Sequence, residues 1–272
     1  MSTLALPLLF SVFVWWFSTG VILYLDGLPP RSFKWTMLGT TAVLVFALWG
    51  LSVSSAGQTV SDAYCAFTCA ILIWAWQEMA FLLGYVTGPR RSACPPEARG
   101  WSRAVLACQA VLHHELALVA LAAAVLTVTW DAPNQTGWWT YLVLWTMRQS
   151  AKLNIFLGVR NLNEAFLPPH LAYLQSYFTR RRMNVLLPFS VGVATIAVVP
   201  LWSGALAAGA SPFTVAEYGL VASLLSLAIL EHGLLVLPLP SERLWKWGMR
   251  SREPVSPVAC VAPTAQAPNP LA

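Results

Sequence analysis

Seven stretches of this chain stay apolar for about twenty residues or more, and short polar segments divide them. They run about 4–25, 35–54, 61–87, 103–129, 138–158, 184–206 and 214–236. Hydrocarbon cannot hydrogen-bond a backbone, and a helix satisfies its own. The pattern therefore predicts an all-α fold, a polytopic membrane bundle of seven transmembrane helices. Residues 1–247 form a single domain in this reading. Residues 161–182 are an interfacial segment of it, and 248–272 are a disordered tail whose Pro, Ala, Val and Ser show no period.

The fourth stretch breaks its own pattern. Gln109 to Leu126 is apolar after its first turn, yet His113, His114 and Glu115 lie inside it. Ionisable groups at membrane depth are costly, so they face the protein interior and find partners there. Consecutive helical residues point about 100° apart, so His114 and Glu115 cannot both face lipid cheaply. The rest of the chain must solvate them.

Composition sharpens the picture. The chain is 57% hydrophobic and 10% charged, where soluble domains are nearer a quarter charged. The net charge of +5 is not a nucleic-acid signal, because the placement of Lys and Arg reports topology. Arg31, Lys34, Arg90, Arg91, Arg99, Arg103, Arg160, Arg180–Arg182, Arg243, Lys246, Arg250 and Arg252 all flank the same end of the seven stretches. The loops at the other end carry only the acids Asp62, Asp131 and Glu217. The positive-inside rule then puts the N-terminus outside and the C-terminus in the cytoplasm. No basic residue opens the chain, so 4–25 reads as a retained span rather than a cleaved signal.

Smaller signals follow from that frame. Asp62 and Glu217 fall in the first turns of the third and seventh helices, where a carboxylate meets the positive dipole end. Trp130, Trp138 and Trp139 mark the outer interface, and Trp35, Trp101, Trp245 and Trp247 the inner one. Asn134-Gln-Thr136 matches a glycosylation acceptor in a tight loop. In 161–182, Leu171, Leu174 and Phe178 recur at helical spacing after Pro168-Pro169. That predicts an amphipathic helix in the inner headgroup layer, the alternative being a small cap under the bundle. The cysteines form no framework and read as apolar fillers and loop thiols.

Depth brings the polar residues together. Glu78 on the third helix, His113, His114 and Glu115 on the fourth, Arg148, Lys152 and Asn154 on the fifth, and Glu231 and His232 on the seventh fall in the middle or inner half. Arg148 and Lys152 share a face. Three readings compete. The first is an ion-pair network with histidines hydrogen-bonded between the charges. The second is a transition-metal site of carboxylate and imidazole, which Arg148 and Lys152 would oppose. The third is a pigment site with an axial histidine.

The chain also resembles a known family. Trp15-Trp-Phe-Ser-Thr-Gly20, Tyr24-Leu-Asp-Gly-Leu-Pro29, Ala63-Tyr-Cys-Ala-Phe-Thr-Cys69 and Val86-Thr-Gly-Pro-Arg-Arg91 carry the likeness. It continues through Cys94-Pro95, His114-Glu-Leu116, Ser150-Ala-Lys-Leu-Asn154, Asn161-Leu-Asn-Glu164, Glu231-His232 and Leu237-Pro238. These strings, spread to about residue 247, resemble the PuhE family of photosynthetic complex assembly proteins from purple phototrophic bacteria. Where that family often has a histidine before its glutamate, this chain has Gln77 before Glu78. The resemblance implies a multi-pass protein of the bacterial inner membrane, and the N-terminus that the basic loops place outside is then periplasmic. It implies a part in assembling reaction-centre and light-harvesting polypeptides and in maintaining bacteriochlorophyll levels, with those polypeptides, the lipid bilayer and pigment as partners. The alternative is a membrane metalloenzyme acting on a tetrapyrrole or other hydrophobic substrate through the Glu/His cluster. No catalytic residue or known reaction carries over.

Overall fold

The computed structural model describes residues 2–252, and within them seven long α-helices are joined by turns and short 3-10 segments. The helices are α1 (Ser2–Asp26), α2 (Phe33–Ser55), α3 (Val60–Leu82), α4 (Gly100–Thr129), α5 (Thr136–Leu157), α6 (Leu186–Ala205) and α7 (Pro212–Leu234). Six of them are long and apolar enough to cross a membrane. α5 is not, because Arg148, Gln149, Ser150, Lys152 and Asn154 crowd its second half.

Two helix starts show how the sequence sets the ends. Thr59 caps α3: Asp62 N–H donates to Thr59 Oγ1 (3.2 Å), and Thr59 N–H donates to Asp62 Oδ2 (2.9 Å). That reciprocal pair is a capping box, with the carboxylate on the dipole's positive end. Ser211 caps α7 through Thr214 N–H (3.1 Å), with Pro212 at the first helical position. Because α7 begins at Pro212, Glu217 lies in its second turn, not its first.

α3, α5 and α7 pack against one another and form the centre. α2 lies on α3, α6 on α7, α1 on α7 and α3, and α4 on α5 and α2. The difference is large: 72% of the α3 span is buried, against 11% of α2. Phe67, Ile71, Leu220, Leu224 and Val143 join the three central helices in one apolar cluster. Ile73, Leu118, Val125 and Tyr141 join α3, α4 and α5 in a second.

The two ends of the bundle are built differently. At the acidic end the α4–α5 loop is pinned to the end of α2. Asn134 Nδ2 donates to Ser54 O (2.9 Å), and its backbone N–H donates to Ser55 O (3.1 Å). Asn134 has no exposed surface, so the glycosylation motif is occupied by packing.

The basic end carries the long segments. Pro169–Tyr177 is a 3-10 helix rather than an α-helix, and it packs under the bundle. Residues three apart eclipse in a 3-10 helix, which is why Leu171, Leu174 and Tyr177 are the buried ones. They meet Phe81, Leu82 and Ala110. The alternative reading, a cap under the bundle, describes this segment, and the interfacial α-helix does not. Arg103 anchors it by donating to Tyr177 O (2.6 Å) and Thr179 Oγ1 (2.8 Å). His170 Nε2 donates to Leu82 O (2.8 Å) at the end of α3.

After α7 the chain turns back along α1. Ser241–Trp245 and Gly248–Arg252 are 3-10 turns on that helix. Trp16 Nε1 donates to Leu244 O (2.8 Å), and Trp245 Nε1 donates to Trp16 O (3.0 Å). Arg252 closes the strap on Asp26, donating from Nε at 3.1 Å. The approach requires glycine: a Cβ at Gly248 would lie 2.3 Å from Gly20 O. So residues 248–252, expected in a disordered tail, are folded because Asp26 and the Gly20 face give them partners. The tail from Pro254 onward lies outside the described residues. Trp245, expected in the inner aromatic belt, is buried against Trp15 instead.

Candidate functional site

A cavity of about 730 Å³ occupies the basic half of the bundle. α1, α3, α4, α5 and α7 wall it, residues of the 162–178 segment floor it, and Trp245 closes one side. Its size falls within the range of small-molecule sites, and most of its surface is apolar.

Glu78, His114, Glu115, Arg148, Lys152, Glu231 and His232 all line this space. Arg148 Nη2 donates to Glu78 Oε2 at 3.0 Å, so α5 is tied to α3. One turn on, Lys152 Nζ donates to Glu115 Oε1 at 2.6 Å, so the same face of α5 is tied to α4. Gln149 Nε2 donates to the other oxygen of Glu115, and Gln77 Nε2 to Glu78 Oε1 (3.2 Å). The pairs are not sealed away. The Arg148 side chain is 43% exposed although it belongs to the cavity wall.

Glu231 stands apart from those pairs. Its Oε1 accepts from Trp15 Nε1 (2.9 Å), and among the described residues it forms no ion pair. The three cavity carboxylates therefore face two cations. His232, the next residue, is buried. Its Nδ1 lies 2.9 Å from Ala228 O, so that nitrogen carries the proton. In the neutral ring Nε2 then accepts from Ser150 Oγ (2.9 Å). This bond fixes α7 to α5 two residues from Arg148.

His114 is held by its backbone. Its N–H donates to Thr87 O (2.9 Å), so a loop carbonyl reaches into the ladder of α4. Gly88 permits this approach, since a Cβ there would sit 2.1 Å from Gln109 O. The ring packs on Phe81 at 4.4 Å between centroids and is only 1% exposed. Nδ1 is buried without a partner.

Two residues grouped with these by sequence lie elsewhere. His113 is exposed on the outer face of α4, because the turn that points His114 inward rotates its neighbour away. Asn154 is buried below the cavity, where its Nδ2 donates to Ser150 O (2.9 Å) and its backbone carbonyl accepts from Asn184 (3.1 Å). It joins the end of α5 to the start of α6. Trp15, Gln149 and Ser150 belong to the site and were not singled out by sequence. Gln149 and Ser150 carry a weak signal as polar neighbours of Arg148. Trp15 carries none, since an aromatic near a helix end reads as a belt residue.

The arrangement bears on ligation. Among the described residues no three His, Cys, Asp or Glu side chains gather as a metal would require. Both His232 nitrogens are engaged, and the His114 ring is almost wholly buried. The groups that remain open are hydrogen-bonding ones. They are the free N–H donors of Arg148 and the second oxygen of Glu231.

Residues 1–256 match the family described as "Protein of unknown function (DUF3623)". The chain is similar to a Rhodobacter capsulatus protein described as "Uncharacterized 30.4 kDa protein in puhA 5'region". Identity is 37% over 247 residues, covering 89% of this chain and 90% of that relative. No solved structure matches it significantly.

Proposed function

This chain belongs to the family of proteins of unknown function DUF3623, and we propose that it is an inner-membrane factor for assembling photosynthetic reaction-centre and light-harvesting complexes. The observation that carries this reading is the 37% identical relative described by its place in the puhA 5' region. The motif strings shared with photosynthetic complex assembly proteins support it. So does the architecture. Six apolar helices make a multi-pass membrane protein, and the bundle encloses a largely apolar space with a few fixed polar groups, suited to holding a hydrophobic molecule.

α5 is the seventh crossing in this proposal. Its charges point at α3 and α4 and not at lipid. The N-terminus is then periplasmic and the basic end cytoplasmic. The partners are the reaction-centre and antenna polypeptides, and the protein sustains bacteriochlorophyll levels through their assembly.

Deletion of the gene in its host tests the reading. Reaction-centre and antenna absorption should fall together. Normal levels of both complexes would overturn assembly as the function. Accumulation of one discrete bacteriochlorophyll precursor would point to catalysis instead.

A further inference from the structure

We propose that the cleft formed by Arg160, Arg180, Arg181, Arg182 and Val236 binds an anionic phospholipid, with the phosphate among the arginines and the chains on the exposed face of α6. The inference stands on the charge and the depth of the cleft, and it does not depend on the assembly reading.

The backbone gathers these arginines. Val159 N–H donates to Thr179 O (3.2 Å) and Arg181 N–H to Val159 O (3.1 Å), so the exit of α5 is stitched to the run that enters α6. Asn184 Nδ2 donates to Gly158 O (2.9 Å) at the same junction. Glycine is required there, because φ is +124° and a Cβ would lie 2.8 Å from the Arg181 side chain. Asn161 Nδ2 donates to Leu234 O (2.7 Å) and Leu237 O (2.6 Å), which brings Val236 alongside. All four arginines are exposed where they meet.

The charges in the cleft do not balance. Arg180 pairs with Glu164 at 3.0 Å, whereas Arg160, Arg181 and Arg182 form no ion pair among the described residues. Guanidinium groups stay charged, so three of them repel one another until an anion arrives, and their planar forks match a phosphate. Depth selects the source of that phosphate. Arg182 lies four residues before the start of α6 and Val236 two after the end of α7, and both helices are apolar enough to cross a membrane. The cleft is therefore at headgroup level on the basic side. Beside it, Val185, Phe189, Val193 and Ile196 are exposed and recur every three or four residues, one outward stripe of α6. Acyl chains cover such a stripe, and a soluble phosphate leaves it bare. A choline or ethanolamine head would bring a cation to the arginines, so the head group is net negative.

The test is native mass spectrometry of the full chain in detergent, titrated with dioleoyl phosphatidylglycerol or dioleoyl phosphatidylcholine, reading the dissociation constant of the first bound lipid. Wild type should hold phosphatidylglycerol at least about tenfold more tightly, since only choline brings a cation to the three guanidiniums. The triple variant Arg160→Gln, Arg181→Gln and Arg182→Gln should erase that preference. Arg243→Gln with Lys246→Gln and Arg250→Gln removes the same charge from the same side but outside the cleft, and it should keep the preference. Glycerophosphoglycerol, the same head without chains, should not displace the lipid at equal concentration. Equal affinity of wild type for the two lipids overturns the proposal, as does absence of phosphatidylglycerol binding. So does an unchanged ratio in the cleft variant, an equal loss in the control variant, or displacement by the chainless head.

Discussion

α5 and α6 are consecutive, of nearly equal length, and opposite in character. α6 has no Lys, Arg, Asp or Glu between Leu186 and Ala205 and is apolar enough to span a membrane. Most of its surface, including Phe189 and Ile196, faces outward. α5 fails the same apolarity test, yet it sits among α3, α4 and α7 and carries both interior cations. In water the polar helix would be the exposed one. In a membrane the surroundings are as apolar as Leu, so polar groups are retained where protein solvates them. Low hydropathy in this chain marks the helix at the centre of the bundle.

The comparison breaks outright if α5 does not cross. Topology reporters fused after Ala132 and after Arg182 should read opposite sides of the membrane, the first periplasmic and the second cytoplasmic. Identical readings would make α5 a re-entrant element and remove the seventh span.

The next largest effect is expected where α5 leans on its neighbours. Glu115→Ala strands Lys152, and breaking a buried pair costs about 3–5 kcal/mol. Each partner is about a quarter exposed, at 26% and 29%, which places the loss near the lower bound. Membrane accumulation and thermal unfolding in detergent should both report it. Removing Lys152 and Glu115 together, for Met and Leu, should restore most of the stability. A double variant as unstable as the single one would mean that Glu115 does more than neutralise Lys152.

The smallest effect belongs to α6. Ile196 is 74% exposed, so Ile196→Ala should shift unfolding by no more than about 0.5 kcal/mol. A larger loss would show that α6 has a partner on its outer face and is not merely lipid-facing.

The hydropathy of the chain made much of the fold legible. Every long helix lies where an apolar stretch predicts one, because backbone satisfaction in hydrocarbon leaves few alternatives. The ion-pairing residues were legible too. Glu78, Glu115, Arg148 and Lys152 are conspicuous in apolar surroundings, and their depths agree. His113 shows the limit, since two adjacent histidines give no hint of which one faces inward. That depends on the rotation of α4, which is set by the Thr87 carbonyl and the close approach at Gly88. The 3-10 cap was legible only in part. The triplet spacing of Leu171, Leu174 and Tyr177 is present in the sequence, but an α-helical period fits Leu171, Leu174 and Phe178 equally well.

The sequence by itself determined which segments become helices, which end of the bundle is basic, and which residues cannot face lipid. These are local properties of composition and spacing, enforced by the cost of an unpaired polar group in hydrocarbon. Tertiary structure alone decided the pairing, with Glu78 taking Arg148, Glu115 taking Lys152, and Glu231 left with only an indole N–H. It also decided that the chain after α7 returns along α1, where Trp245 closes the cavity and Arg252 reaches Asp26. Such contacts join residues more than two hundred positions apart, and only helix packing brings them within hydrogen-bonding distance.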